Sequence, residues 1–285
     1  MPINFSQVTF IYNRKSPFQY EALHNVSLHL DEHLFIALVG RTGSGKSTLI
    51  QHLNALLSPT EGEVVIDQFV NSSDRKKRSK KLKDLRKLVG LVFQFPEYQL
   101  FEETVEKDVA FGPKNFGYGP EAALQVAHES LQTVGLNESF YTRSPFELSG
   151  GEKRKVAIAG ILALDPDYLV VDEPTAGLDP EAARETMELF ESIHQKGKTI
   201  ILVTHDMNLV NQYADRVVVM EDGKVAEVAT PRELFSHPIE QYSLEMPAFY
   251  ETIRYLNAHG YHLDETKIDN VTALAKAIAE GRARK

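Results

Sequence analysis

The octapeptide Gly40-Arg41-Thr42-Gly43-Ser44-Gly45-Lys46-Ser47, directly after the apolar run Leu34 to Val39 (LFIALV), constrains this chain more than any other feature. An uninterrupted apolar hexapeptide suits a strand buried on both faces. The segment from Lys46 to Leu57 reads as a helix, stopped by Ser58-Pro59. A glycine-rich turn between such a strand and such a helix is the G-x-x-x-x-G-K-[ST] arrangement that cradles phosphates. Glycines let the backbone wrap closely, and the helix N-terminus adds its positive end. The spacing predicts a nucleotide site formed by Gly40 to Ser47 and the adjoining Thr48. In it Lys46 reaches the β- and γ-phosphates and Ser47 ligates Mg²⁺.

The flanking segments agree with an α/β chain. Tyr168 to Asp172 (YLVVD) and Thr199 to Thr204 (TIILVT) are short apolar runs, and Pro180 to Gln195 between them reads as a helix. That alternation implies a parallel sheet built from βαβ units. Ile3 to Phe10 and Ala22 to Leu30 read as half-buried strands, Val64 to Ile66 as a further short strand. Val217 to Met220 and Val225 to Val228 read as a hairpin turned at Asp222-Gly223. From Gln94 to Leu164 the rhythm breaks, and Glu121 to Val134 and Glu152 to Leu164 predict a helical insertion. From Gln241 the composition changes again. Phe249, Ile253 and Leu256 share one helical face, and Val271, Leu274, Ala275 and Ile278 another, with Asn270 as N-cap. A small helical appendage over 241–285 is expected.

Leu169-Val170-Val171-Asp172-Glu173 ends a buried strand in two carboxylates. Beside a phosphate loop, Asp172 is placed to hold Mg²⁺, directly or through water. Glu173 is placed to act on the attacking water as general base. His205 ends the strand TIILVTH. Ligands bind at the carboxyl ends of parallel strands, so its imidazole is expected at the γ-phosphate.

Composition narrows the function classes. The 285 residues carry a net charge of −9 and no cysteine, which disfavours general nucleic-acid binding and excludes disulfides and thiolate chemistry. The longest apolar stretch, Val156 to Leu164, is nine residues, against about 20 for a membrane helix. Met1 to Phe10 lacks a basic segment followed by an apolar core, so no secretory signal is expected. Charge is uneven: Asp74 to Lys87 holds nine Lys or Arg against two Asp, a local +7, leaving −16 for the remainder. Such a run reads as a solvated helical face or loop, or as a contact for anionic lipid or an acidic partner.

Leu148-Ser149-Gly150-Gly151-Glu152, 20 residues before Asp172, joins this set. With the phosphate loop, Gln94, the acidic pair and His205 in that order, residues 1–235 resemble the ATP-binding cassette ATPases. The resemblance implies a P-loop α/β core with a mixed or parallel sheet, an antiparallel β subdomain and a helical signature subdomain at about 95–164. It implies an ATPase domain over 1–240 and a C-terminal helical domain over 241–285. It also implies ATP and Mg²⁺ as cofactors and further roles for residues. Ser149 and Gly151, with Gly150 and Glu152, would close over ATP bound to an opposite subunit. Asp179, in Ala176-Gly177-Leu178-Asp179, would link the two sites. Gln94 would touch Mg²⁺ and the attacking water, and Tyr12 would stack on adenine.

Val92 to Val105 (VFQFPEYQLFEETV), continued by Asp108 to Asn115, is similar to the ATPases of energy-coupling factor importers, and more to the second of their two paralogues. That implies a heterodimer with a paralogous ATPase, a transmembrane coupling protein and a substrate-binding membrane subunit. The assembly would sit at the cytoplasmic face of the cell membrane and take up vitamins or other micronutrients. Phe95, Tyr98, Leu100 and Phe101 would form the surface that receives a partner helix. The alternatives are a soluble cassette ATPase of cluster-assembly or repair type, and the ATPase of a cobalt/nickel or amino-acid importer.

Overall fold

The computed structural model describes residues 2–264, 268 and 271–282. Two sheets organise them. The first is antiparallel, from β1 (Ile3–Tyr12), β2 (Tyr20–Leu30), β4 (Glu61–Ile66) and β5 (Phe69–Ser72), in the order β2-β1-β4-β5. Val26, Leu28 and Leu30 alternate inward with exposed neighbours along β2, as a strand with one wet face requires.

The second sheet contains β3 (Phe35–Val39), β6 (Val89–Val92), β7 (Tyr168–Asp172), β8 (Thr199–Val203), β9 (Arg216–Glu221) and β10 (Lys224–Ala229), ordered β10-β9-β3-β8-β7-β6. Pairing is parallel from β6 through β9. Every residue of β3 and of β8 is buried: Ile36, Leu38, Ile201 and Val203 share one core with Ile3, Phe5 and Val8 of the first sheet, and Phe35, Ile200 and Leu202 share another with Met187 and Phe190. The strand β10 adds antiparallel, through a turn with Asp222 at φ 43° and Gly223 at φ 75°. Two successive positive φ values define the I′ hairpin turn that an Asp-Gly pair favours.

The helix α1 runs Lys46–Leu53, shorter than its apolar content suggests. Asn54 ends it and Ala55 turns left-handed at φ 53°. Asn71 Nδ2 donates to the carbonyls of His52 (3.0 Å) and Leu57 (2.8 Å), so a side chain from β5 takes over where the helical ladder stops. The basic run forms turns and then α2 (Leu82–Leu88), whose Leu85 is buried. Between β6 and β7 the chain leaves the sheet for α3 (Val105–Asn115), α4 (Pro120–Thr133) and α5 (Gly150–Leu162). Val109, Ala127, Leu131, Val156 and Ile158 join their inner faces into one core with Leu169 and Val171. The strand β6 and helix α3 were not anticipated from sequence; α3 contains Pro113, which obscures its periodicity.

Helices α6 (Pro180–Gln195) and α7 (Met207–Tyr213) return the chain to β8 and β9. After α8 (Pro231–Phe235), Leu244, Met246 and Tyr250 pack with Val217, Leu234 and Phe235, Tyr250 lying on α9 (Ala248–Ala258). Ile253 of α9 then meets Leu274 of α10 (Val271–Arg282). The apolar stripe of α10 differs from expectation. Leu274 and Ile278 face inward with Ala273 and Ala277, while Val271 is 72% exposed and Ala275 is exposed. The buried stripe is therefore rotated from the expected one, because α9 meets the short alanine side of α10. Asn270 lies outside the described residues.

Candidate nucleotide site

The phosphate loop leaves β3 at Gly40, whose φ is 143°; a Cβ there would lie 2.1 Å from the Met220 carbonyl oxygen on β9. Gly45, at φ 101°, precedes α1, and a Cβ there would lie 2.7 Å from the Ala22 carbonyl oxygen. Close backbone approach makes both positions glycine. The loop is anchored from behind: Gly223 N donates to Ser44 O at 3.0 Å and His24 N to Gly223 O at 2.8 Å. No side chain caps α1, whereas Ser149 caps α5 and Asp179 caps α6. The N–H groups of the first α1 turn thus remain available for an anion.

Lys46 Nζ donates to the loop's own carbonyls, Gly40 O at 2.6 Å and Arg41 O at 3.0 Å. Burial lowers its pKa, opposed by the charges of Glu173 and Asp172. Burial also raises the pKa of Asp172, helped by the neighbouring Glu173 charge and opposed by Ser47 and Lys46. Ser47 Oγ donates to Asp172 Oδ2 at 3.4 Å. Glu173 follows β7 in a left-handed conformation, φ 48°, and its N–H donates to Val203 O at 2.9 Å. Its Oε1 lies 2.9 Å from His205 Nδ1. The imidazole is 79% exposed and the carboxylate 17%, so the histidine forms the outer lip and the glutamate the wall.

These groups surround a cleft of about 460 Å³ at the carboxyl ends of β3, β7 and β8. Thr42, Gly43, Gly45, Lys46, Ser47, Thr48, Gln94, Asp172, Glu173 and His205 line it, with Tyr20, Ala22 and Val203. Gly40 and Ser44 are buried beneath the loop, and Arg41 points outward to Asp222 at 3.8 Å. Tyr12 stands beside the cleft: its hydroxyl meets Thr48 Oγ1 at 3.2 Å and its ring stands edge-on to Phe10. Tyr20, its partner in the β1–β2 register, lines the cleft and was missed from sequence. Only long-range strand pairing brings it there.

The donor set suits magnesium bound with a nucleotide. Among the described residues no cluster of three or more His, Cys, Asp or Glu could hold a metal. Ser47 and Asp172 offer two oxygens at one place. Mg²⁺ is commonly held by one or two protein oxygens, with phosphates and water completing its octahedron.

Ser149, Gly150, Gly151 and Glu152 lie elsewhere. Ser149 N donates to Glu152 Oε2 at 2.8 Å, and Glu152 N to Ser149 Oγ at 3.4 Å, a capping box at the start of α5. Ser149, Gly151 and Glu152 line a second cavity, about 620 Å³, between α5 and α6, which shares no residue with the cleft. Asp179 Oδ1 accepts from Glu181 N and Ala182 N, both at 3.0 Å. Of the aromatic segment, Tyr98 is 85% exposed and Phe101 56%, while Leu100 is buried and belongs to the core. Arg154 was also missed: its fork holds Glu97, 57 residues away in sequence.

The ABC transporter family model matches residues 23–176. The energy-coupling factor transporter ATP-binding protein EcfA2 of Lactococcus lactis subsp. cremoris is 56% identical over 233 residues, 82% of this chain and 80% of that protein. Its counterpart in Enterococcus faecalis is 48% identical over 268 residues, 93% of this chain and 92% of that protein. Among solved structures, the post-hydrolysis dimer of the cassette MJ0796 bound to ADP and Pi superposes with a TM-score of 0.70 at 33% identity, covering 80% of this chain and 98% of that one. CbiO1 from Clostridium perfringens, part of an ABC transporter complex, gives 0.72 at 32% identity, covering 88% and 98%. The chain belongs to the ABC transporter family of ATPases, in the branch of the energy-coupling factor ATP-binding proteins. It is an ATP-hydrolysing enzyme that uses Mg²⁺.

Proposed function

We propose that this chain is the ATPase subunit of an energy-coupling factor importer and drives uptake of vitamins or other micronutrients through separate membrane subunits. The observation that carries this reading is the separation of the Lys46–Glu173–His205 cleft from the Ser149–Gly151 turn within one chain. Each half-site needs another chain to complete it, and a paralogous ATPase in a heterodimer supplies that chain.

Backbone N–H groups of the loop and Lys46 hold the phosphates of ATP, and Tyr12 stacks on adenine. Ser47, Asp172 and Gln94 would hold Mg²⁺ or its waters, and the bound ion would supply positive charge against the transferred phosphoryl group. Glu173 takes the proton of the attacking water. His205, bonded to Glu173 at 2.9 Å, orients that carboxylate and contacts the γ-phosphate. Ser149 to Gly151 of one subunit close over the γ-phosphate held by the other, and Asp179 links the two sites. ATP thereby joins the subunits, and hydrolysis releases them.

The surface of Phe95, Tyr98 and Phe101 receives the transmembrane coupling protein. Among the described residues no helix is long and apolar enough to cross a membrane; bound to the membrane subunits proposed above, the chain would work as a peripheral subunit at the cytoplasmic face. We read residues 1–240 as the ATPase domain, with a helical subdomain at about 95–164, and 241–285 as a C-terminal helical domain.

Isolation from the membranes of the native host tests the reading. The wild-type chain copurifies with a transmembrane subunit, and a Tyr98→Ser/Phe101→Ser variant loses it. A wild-type chain that never copurifies with such a subunit refutes the transport role.

A further inference from the structure

Every hydrogen bond of the Arg154 guanidinium goes to a segment beside the nucleotide cleft. The side chain is buried, 4% exposed. Nε and Nη2 donate to the two carboxylate oxygens of Glu97 at 3.2 and 3.1 Å. Nη1 donates to the carbonyls of Pro174 at 3.2 Å and Ala176 at 2.9 Å. Glu97 lies three residues beyond Gln94, and Pro174 directly follows Glu173. Arg154 itself stands on α5, the helix that Ser149 caps.

A bidentate fork fixes angle as well as distance, and a buried pair is stable only while both members remain. The Gln94 segment, the Glu173 turn and α5 are therefore locked to one guanidinium. The ring of Phe95, on the surface assigned to the membrane subunit, lies 5.7 Å from the same group.

We infer that Arg154 is a positioning residue that couples the ATP site this chain builds with Gln94 and Glu173 to the site it completes on the facing subunit with Ser149 to Gly151. The inference rests on the composite-site reading proposed above. Displacement of the Gln94 segment, by a membrane partner or by nucleotide, carries α5 with it while the fork holds. Lysine at this position keeps the charge and loses the fork.

The test uses the complete transporter complex with Glu173→Gln in this chain, so that turnover reports on the facing site alone. Adding Glu97→Gln or Arg154→Lys lowers the remaining kcat at least tenfold, with KM for ATP changed less than twofold. The double variant is no worse than the worse single one, as expected for two residues acting as a unit. Melting curves confirm that each variant is folded; Glu97→Gln, which keeps shape and the carbonyl bonds of Arg154, decides if Arg154→Lys is not. Full turnover in folded Glu97→Gln overturns the inference alone, as does a loss of kcat that merely tracks a fall in melting temperature. Full turnover after Ser149→Arg in the same background overturns the composite-site reading and the inference with it.

Discussion

Gly45→Ala separates a glycine needed for conformation from one needed for space. Gly45 has φ 101°, and a Cβ would stand 2.7 Å from the Ala22 carbonyl oxygen and 3.1 Å from Leu23 Cδ2. Gly43 has φ 83° and nothing within 4 Å of the same hypothetical atom. A left-handed alanine costs about 1–2 kcal/mol at either position. At position 45 the backbone clash adds roughly 1–3 kcal/mol of overpacking, and the loop escapes it only by moving away from β2 and out of its phosphate-binding shape. At about 1.4 kcal/mol per decade of affinity, Gly43→Ala weakens ATP binding about 5- to 30-fold. Gly45→Ala weakens it about 30-fold to several thousand-fold. Titration with a fluorescent ATP analogue measures both, and melting curves confirm that each variant is folded. Equal losses in the two variants, or a milder loss in Gly45→Ala, would refute the steric argument.

Two further outcomes are expected. Glu173→Gln keeps ATP affinity and lowers hydrolysis at the site this chain builds about 10²- to 10⁴-fold, the range of a lost general base; single-turnover hydrolysis in a complex whose facing site is itself inactivated reads it, and wild-type rates there would show that another base operates. His52 is fully buried, its Nδ1 2.7 Å from Thr48 O, and burial lowers its pKa to about 4 against the opposing bond to that carbonyl. An unfolded histidine takes up its proton near pH 6.5, so the unfolded chain binds more protons between about pH 4 and 6.5. The stabilisation is complete above about pH 6.5 and falls by roughly 3 kcal/mol towards pH 4. His52→Leu flattens this acid limb by about 2 kcal/mol between pH 7.5 and 5 in urea melts; an unchanged limb contradicts the assignment.

What could be read without coordinates was local. The run LFIALVGRTGSGKS, the strand YLVVDE and the strand TIILVTH each carry their structure and their chemistry within one contiguous segment, and the cleft brings their last residues together. What could not be read depends on contacts between distant segments. The strand β6 contains Gly90, which is small because Ile161 of α5 would lie 2.7 Å from any Cβ there. Tyr20 reaches the cleft because β2 pairs with β1 in a particular register. The Arg154 fork joins positions 57 residues apart, and its arginine lies in a run of charged residues, Glu152 to Lys155, that reads as solvent-facing. Leu100, grouped from sequence with the exposed aromatics, turns into the core while Phe101 turns out and packs edge-on against Phe111.

The shifted charges of the cleft explain why nucleotide and cation belong together there. Lys46 is lowered and Asp172 raised, each first by burial: both are charges withdrawn from water with incomplete partners. A triphosphate supplies the missing anion for Lys46, but it also brings negative charge towards Asp172 and Glu173. In the site proposed above, Mg²⁺ held by Ser47 and Asp172 would offset that excess. Asp172→Asn removes the repulsion and the ligand at once. It should therefore strengthen ATP binding in EDTA at least about 5-fold, since one like charge at about 4 Å is worth roughly 1 kcal/mol even in water and more where water is partly excluded, while abolishing most of the gain that Mg²⁺ gives the wild type. Calorimetric titration with and without the cation separates the two effects. Weaker binding of ATP to Asp172→Asn in EDTA would mean that the carboxylate organises the loop rather than repelling the phosphates, and the electrostatic account of the site would fail.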